Sequence, residues 1–230
     1  MDHVVVDVEI QRCIEDLPRG WDQTEDMGVA VACVWEYSTQ RMRVYGPEDV
    51  GALRERLLQA DRISGFNIFN FDFPVIWGID KKTWSDYRVI PPESRPHYTK
   101  ESMVSNITGE NIKAILSTKT DDMLRRIWQA KGLDPDRFSP STHGGVGLDA
   151  VASATIGAAK IGYGGDAPVW YQKGLIQKVA NYCADDVAIE RDLTDFVERY
   201  GYVIAKGQKL TIPPWGSRPI TSVLFFQGEL

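Results

Sequence analysis

The sequence contains few of the residues that build disulfide frameworks or zinc sites. Among its 230 residues there are only three cysteines and three histidines, all widely spaced. An odd number of scattered cysteines forms neither a disulfide framework nor a zinc pattern, so we expect a reducing compartment, the cytoplasm. The sequence also lacks an apolar run of the roughly 20 residues that a membrane helix needs. Its first ten residues have no cationic start of the kind found in signal peptides, so we expect no membrane partner.

An excess of acidic side chains excludes a protein that coats nucleic acid through its own positive charge. The formal net charge is −6, with 43% hydrophobic and 25% charged residues, which is typical of a folded domain. An acidic enzyme can still meet nucleic acid through bound metal ions. Residues 80–137 contain slightly more basic than acidic side chains, so an anionic partner is repelled less there.

The order of apolar runs predicts one α/β domain. Strands are expected at 4–10, 29–37, 41–45 and 62–66, and helices at 46–60, 122–131, 148–156 and 175–200. Strands followed by helices that alternate with strands predict a mixed sheet flanked by helices. We expect the domain to cover residues 1–205, with an insert around 80–119, and a C-terminal tail at 206–230.

The long helix predicted at 175–200 has an acid on its apolar face. At 100° per residue, Val179 and Leu193 fall within about 20° of Asp186. Tyr182 lies one turn earlier and shares that face. A bare carboxylate facing a core costs several kcal/mol, so it must be neutralised, paired or bound to a metal. A buried pair with an arginine, or a bond to backbone groups, is the alternative.

Three further acids stand in apolar surroundings. Asp7 and Glu9 interrupt the first strand at i and i+2, which places both on one face with backbones about 7 Å apart. The alternative is an exposed edge strand with a solvated acidic face, which the flanking valines disfavour. Asp72 follows a strand among aromatic residues, where a helix N-cap ahead of Pro74 is the alternative.

These four carboxylates come from three distant segments and together predict one site for hard divalent cations. Carboxylate oxygens suit Mg²⁺ or Mn²⁺ rather than zinc. Two such ions can activate a water and stabilise the leaving oxygen of a phosphodiester. Tyr182 is a candidate for orienting that water.

The same segments contain three short motifs in a fixed order. They are Asp-x-Glu at 7–9, Asn followed by Phe-Asp at 67–72, and Tyr-x-x-x-Asp at 182–186. This set resembles the DEDD 3′–5′ exonucleases, the DnaQ-like branch of the ribonuclease H-like fold, in their tyrosine subtype. The region 148–193 is similar to predicted exonucleases related to the proofreading domain of family-B DNA polymerases. In those proteins a Leu-Asp helix leads to a glycine-containing loop with a lysine, here Lys160.

The resemblance covers roughly residues 1–200 and implies a ribonuclease H-like mixed α/β fold. It implies a two-metal 3′–5′ exonuclease that uses Mg²⁺ or Mn²⁺ on single-stranded DNA or RNA 3′ ends. Asp7 is then expected to bridge both metals, with Glu9 and Asp186 completing the tighter site. By the same resemblance, Asp72 supports the second metal and Tyr182 positions the attacking water.

The resemblance also assigns substrate contacts. Asn67 is expected to line the substrate groove, and Ile10 stands where the family often has a threonine that touches the terminal nucleotide. Lys160 is a candidate for holding a phosphate, and a solvated surface lysine is the alternative. His143 is interpreted as a loop residue, because Tyr182 already fills the catalytic position. A catalytically silent binding or assembly module and an endonuclease are the alternative functions.

Overall fold

A five-stranded mixed sheet forms the centre of the computed structural model, which describes residues 1–87, 108–137, 143–162 and 164–215. Its strand order is β3-β2-β1-β4-β5. The strands are β1 (His3–Ile10), β2 (Val29–Glu36), β3 (Arg41–Tyr45), β4 (Arg62–Gly65) and β5 (Thr120–Asp122). The first three strands are antiparallel, whereas β1–β4 and β4–β5 are parallel. The predicted α/β mixed sheet flanked by helices is confirmed, and the topology is consistent with a ribonuclease H-like fold.

Strand β1 lies in the middle of the sheet and is covered on both faces. Val4, Val5 and Val6 are fully buried, and β-branched residues of this kind pack well on a pleated surface. Even-numbered residues of β1 join the core on one face and Val5 joins a separate core on the other. By alternation, Asp7 and Glu9 share the face of Val5. The edge-strand alternative for these two acids is therefore wrong.

Helices cover both faces of the sheet. In chain order they are α1 (Val50–Gln59), α2 (Asp72–Trp77), α3 (Lys81–Asp86), α4 (Gly109–Ser117), α5 (Met123–Ala130), α6 (Leu148–Ile156), α7 (Asp166–Gln172) and α8 (Ile176–Tyr200). Helix α8 packs against β1 and β2 and ends at Gly201, whose φ of 71° suits a glycine C-cap. Within the described residues, every helix is too short or too polar to cross a membrane.

Some elements differ from those the sequence predicts. Helix α2 begins at Asp72, and neither α7 nor β5 was expected. Strand β5 reads Thr-Asp-Asp, and its buried Asp121 is paired with Arg62 and Arg126. Because the strand is short and polar, it has no apolar alternation by which a sequence pattern could reveal it.

Both regions that the sequence sets apart contain regular structure. Strands β6 (Tyr202–Ala205) and β7 (Gln208–Thr211) form an antiparallel hairpin, and its turn contains the predicted boundary between residues 205 and 206. Val203 and Ile212 are buried in the core cluster that includes α6. Helices α3 and α4 lie within the predicted insert, and its residues 88–107 fall outside the described ranges.

The end of β4 allows no side chain, which gives a first test of the fold. A Cβ on Gly65 would lie 2.4 Å from Ile68 Cγ2 and 2.8 Å from the Val6 carbonyl oxygen. We expect Gly65→Ala to lower the free energy of unfolding by about 1–3 kcal/mol, because the central strand cannot yield. Urea denaturation measures this change.

The matched control is Gly51→Ala in α1. A Cβ at Gly51 meets nothing within 4 Å, and alanine in a helix is favoured over glycine by roughly 0.5–1 kcal/mol. Equal stabilities for the two variants would show that β4 approaches β1 less closely than described.

Candidate metal centre

Three of the predicted carboxylates meet at the face of β1 that packs against α8. Oxygen atoms of Asp7, Glu9 and Asp186 all lie within 4.8 Å of one another. Glu9 and Asp186 are buried and Asp7 is partly buried. The sequence predicted this grouping, and the fold brings these residues together from positions far apart in the chain.

The packing of α8 on the sheet aims these side chains at each other. Val179 and Val187 of α8 share a buried core with Val5 of β1. The thiol of Cys183 donates to the Asp7 carbonyl oxygen at 3.4 Å. Asp186 lies in the same apolar stripe and is only 3% exposed, so the position predicted from the helical pattern is confirmed.

Asp72 reaches the centre from the start of α2. Its Oδ1 accepts a hydrogen bond from the Val8 backbone N–H at 3.0 Å, between the two acids of β1. The N-cap position of its helix is occupied by Phe71, so the alternative that Asp72 is the N-cap is wrong. Asp72 is 2% exposed but does not belong to the group of carboxylates within 4.8 Å of one another.

Burial and mutual repulsion make these acids hard to ionise. Burial, followed by the charge of Asp186, raises the pKa of Asp7 to about 7. Burial and the charge of Asp7 raise the pKa values of Glu9 and Asp72 well above their usual range. Burial also raises the pKa of Asp186. Crowded carboxylates of this kind are stabilised by a proton or by another cation.

Several buried oxygens of the centre have no hydrogen-bond partner among the described residues. They are Asp7 Oδ2, Asp186 Oδ1 and the Tyr182 hydroxyl. A buried polar atom without a partner costs about 1–3 kcal/mol. Hard oxygen donors that carry negative charge fit Mg²⁺ or Mn²⁺. The residues present therefore match the type of cation that the sequence predicted.

Lys160 is the counter-ion of the centre. Its Nζ lies 2.5 Å from Asp186 Oδ2 and 5.3 Å from the centre of the Tyr182 ring. Burial lowers the pKa of Lys160, but the charges of Asp186 and Asp7 outweigh burial and raise it. The ammonium therefore stays charged, and the interpretation of Lys160 as a solvated surface residue is wrong. Its contact with a phosphate remains a prediction.

The glycine-rich loop before α7 covers Tyr182. A Cβ on Gly162 would lie 3.2 Å from Tyr182 Cε2. The ring of Trp170, in α7, packs edge to face on the ring of Tyr182, with 5.8 Å between the ring centres. Tyr182 is 5% exposed, and burial, followed by the charge of Asp186, raises its pKa. The phenol is thus neutral at ordinary pH, and its predicted role in orienting a water remains a prediction.

The predicted substrate residues have different surroundings. Asn67 has a left-handed φ of 67°, and its side-chain nitrogen lies 3.4 Å from His143 Nε2. Ile10 is 5% exposed and belongs to the core cluster of Leu17 and Met27. This burial leaves Ile10 little surface for the predicted contact with a nucleotide.

Asp122 is a supporting residue that the sequence analysis missed. Its Oδ1 accepts from the backbone N–H groups of Asn67 and Leu124 and its Oδ2 from that of Phe69, each at 3.0 Å. One buried carboxylate thus ties the loop before Asp72 to the start of α5. An aspartate directly before a predicted helix is a typical N-cap residue, and this position could have identified Asp122 from the sequence.

Glu190 is a fifth carboxylate next to the centre that the sequence analysis also missed. It is 3% exposed, and its Oε1 accepts from the Phe66 backbone N–H at 3.0 Å. It follows Asp186 by four residues, so the helical pattern that identified Asp186 places Glu190 on the same face.

Comparisons with known proteins assign no family. No protein-family model matches the chain, and no curated protein matches its sequence. The function is therefore inferred from the motifs and from the geometry of the centre.

Crowded carboxyls predict a metal-free protein that becomes more stable as the pH falls. Asp7 has a pKa of about 7 in the folded chain and 3.8 as its ordinary value, so between these values the folded state binds more protons. The contribution of Asp7 to the free energy of unfolding therefore falls as pH rises from about 4 to about 7. Thermal unfolding in EDTA across this range measures the trend, and saturating Mg²⁺ is expected to flatten it.

Asp7→Asn is the matched control for this trend. His3, whose pKa burial lowers to about 3, has the opposite effect, because its folded state binds fewer protons between about 3 and 6.5. That contribution is common to both proteins and cancels in their difference. A difference in stability that does not change with pH would contradict the crowding of Asp7.

Proposed function

We propose that this chain is a divalent-metal-dependent 3′–5′ exonuclease of the DEDD type, which hydrolyses phosphodiester bonds at single-stranded DNA or RNA ends. The observation that carries this proposal is the group of Asp7, Glu9 and Asp186 oxygens within 4.8 Å of one another. Asp72, bonded to β1 between the first two acids, supports it as the fourth carboxylate. Tyr182 one turn before Asp186 supports the tyrosine subtype.

The carboxylates have two tasks in this proposal. Asp7, Glu9 and Asp186 would hold the cations, and Asp72 would extend the site toward the second ion. When bound, the divalent ions supply Lewis acidity and offset the charge that develops on phosphate oxygens. The acids lie on a central strand and a long packed helix, so their relative positions are fixed before substrate arrives.

Tyr182 would orient the attacking water. Its buried hydroxyl meets no partner in full hydrogen-bond geometry among the described residues, but it lies close enough to Asp186 and Lys160 to interact with both, so it faces the centre. The neutral phenol can donate one hydrogen bond and accept another. The covering loop at Gly162 and the edge of Trp170 fix the ring, which limits the directions in which the hydroxyl points.

Lys160 would change partners when the centre is loaded. Its ammonium neutralises Asp186, and a divalent cation at that carboxylate would compete with it. A released ammonium beside the centre is suited to a substrate phosphate. Several other basic side chains are paired with acids, such as Lys82 with Asp86. Nucleic acid affinity would therefore depend on the ions and on few local cations.

The decisive experiment follows 3′-labelled and 5′-labelled strands of DNA and RNA with Mg²⁺ or Mn²⁺. We expect stepwise release of mononucleotides from the 3′ end and none in EDTA. Asp7→Asn and Asp186→Asn should each lower kcat by at least about 10²-fold, the loss seen when a group that stabilises transition-state charge is removed. The control is Asp192→Asn, which removes one exposed carboxylate from α8.

The products separate the candidate functions. Internal cuts would indicate an endonuclease, and binding of the strands without any cleavage would indicate a silent module. Wild-type rates in both site variants would show that the acids are not the catalytic centre.

Replacing Lys160 should raise the affinity for metal ions and lower the affinity for the nucleic acid strand. We expect Lys160→Met to bind Mn²⁺ more tightly, because the competing ammonium on Asp186 is gone, and to show a higher KM for the strand. Calorimetry measures the first effect and steady-state kinetics the second. The control is Lys173→Met, the same change at an exposed lysine. If the KM and the metal affinity both stay unchanged, Lys160 has no role in binding metal or substrate.

A further inference from the structure

Glu190 is buried beside the metal centre without being one of its three clustered carboxylates. It lies one helical turn after Asp186 on α8, which displaces it by about 6 Å along the helix axis, and it is 3% exposed. It does not belong to the group of oxygens within 4.8 Å. A buried glutamate is rare unless it is paired, so its surroundings need a physical explanation.

One oxygen of Glu190 has a structural partner. Oε1 accepts from the Phe66 backbone N–H at 3.0 Å. Phe66 is the first residue after β4 and begins the loop that leads to Asp72. Strand β4 pairs with β1 as far as Ser64, which lies opposite Val5. Phe66 comes two residues after Ser64, just as Asp7 comes two residues after Val5. The carboxylate of Glu190 thus connects α8 to the end of β4.

The other oxygen has no partner among the described residues. Oε2 is buried and makes no hydrogen bond, and the charge of Lys160 offsets only part of its repulsion from the other acids. Burial, followed by the charges of Asp7, Asp72 and Asp186, raises the pKa of Glu190. The four acids are therefore close enough to interact. A divalent cation at the centre would favour the ionised form of Glu190, because an opposite charge nearby stabilises a carboxylate.

We propose that Glu190 is a positioning residue of the metal centre: its Oε1 fixes the loop that carries Asp72, and its Oε2 adds negative charge that tightens the binding of divalent cations. The inference rests on the proposed function, because it concerns the same cations. In this role Glu190 affects the position and charge of the clustered carboxylates and does not itself contact substrate. Groups that support metal ligands in this way commonly contribute about 10- to 100-fold in metal affinity.

Mn²⁺ alone is the probe that tests this role. Titrating the full chain and following free Mn²⁺ by electron paramagnetic resonance gives the affinity without nuclease activity. We expect Glu190→Gln to bind Mn²⁺ about 10- to 100-fold more weakly, while the amide oxygen keeps the bond from Phe66. Asp192→Asn is the matched control, because it removes the same charge from an exposed position on the same helix.

The outcomes separate this inference from the proposed function. A wild-type protein that binds no Mn²⁺ contradicts both. Wild-type affinity in Glu190→Gln, or an equal loss in Asp192→Asn, overturns the role of Glu190 alone. Glu190→Met, which removes both oxygens, should lose at least as much affinity as Glu190→Gln and should gain less in Tm on adding Mn²⁺. Failure of both variants to fold would assign Glu190 a purely structural role and also overturn the proposal.

Discussion

Repulsion between buried carboxylates is the force that the packing of this fold has to overcome. Asp7, Glu9 and Asp186 are held within a few ångströms of one another, and each would be better solvated elsewhere. The sheet and α8 overcome that repulsion because their apolar faces bury Val5 and Val179 against each other. Hydrophobic packing thus holds the acids in a geometry that their own charges oppose. Such a cluster stores electrostatic free energy that a divalent cation can recover.

The acids of the centre come from regular elements and from the end of a loop. Two acids come from the central strand and one from the longest described helix, where neighbours on both sides fix the backbone. Asp72 follows a loop, and the loop is held by backbone N–H groups that donate to Asp122 and Glu190. Each loop contact is thus anchored to a regular element.

The sequence allowed much of this arrangement to be predicted, for physical reasons that apply to particular residues. Asp186 was recognisable because a charge in an apolar helical stripe has few explanations, and Asp7 and Glu9 because they interrupt a run of valines. Glu190 obeyed the same helical rule but lay outside every motif considered. The contact of Lys160 with Asp186 depends on where a glycine-rich loop folds back, and no local periodicity encodes that path.

Strand β5 and Asp122 show a different limit. A strand of Thr-Asp-Asp reveals itself only through distant partners, since Arg62 and Arg126 neutralise Asp121 from separate elements. Side-chain pairing of this kind is a property of the folded chain and cannot be read from neighbouring residues. The mixed sheet was predictable because β1 and β2 are long apolar runs, but its last strand was not.

The bonds made by Asp122 have a consequence for how mutational scans of this protein should be interpreted. One carboxylate accepts the N–H groups of Asn67 and Phe69, which set the path of the chain toward Asp72. A truncation of Asp122 would shift Asp72 while leaving all four proposed ligands chemically intact. In a screen scored by activity alone, Asp122 would be classed with the proposed metal ligands, although its bonds are to the backbone of the loop. Sorting such hits requires a structural readout of the loop, because loss of activity does not separate a ligand from the residue that aims it.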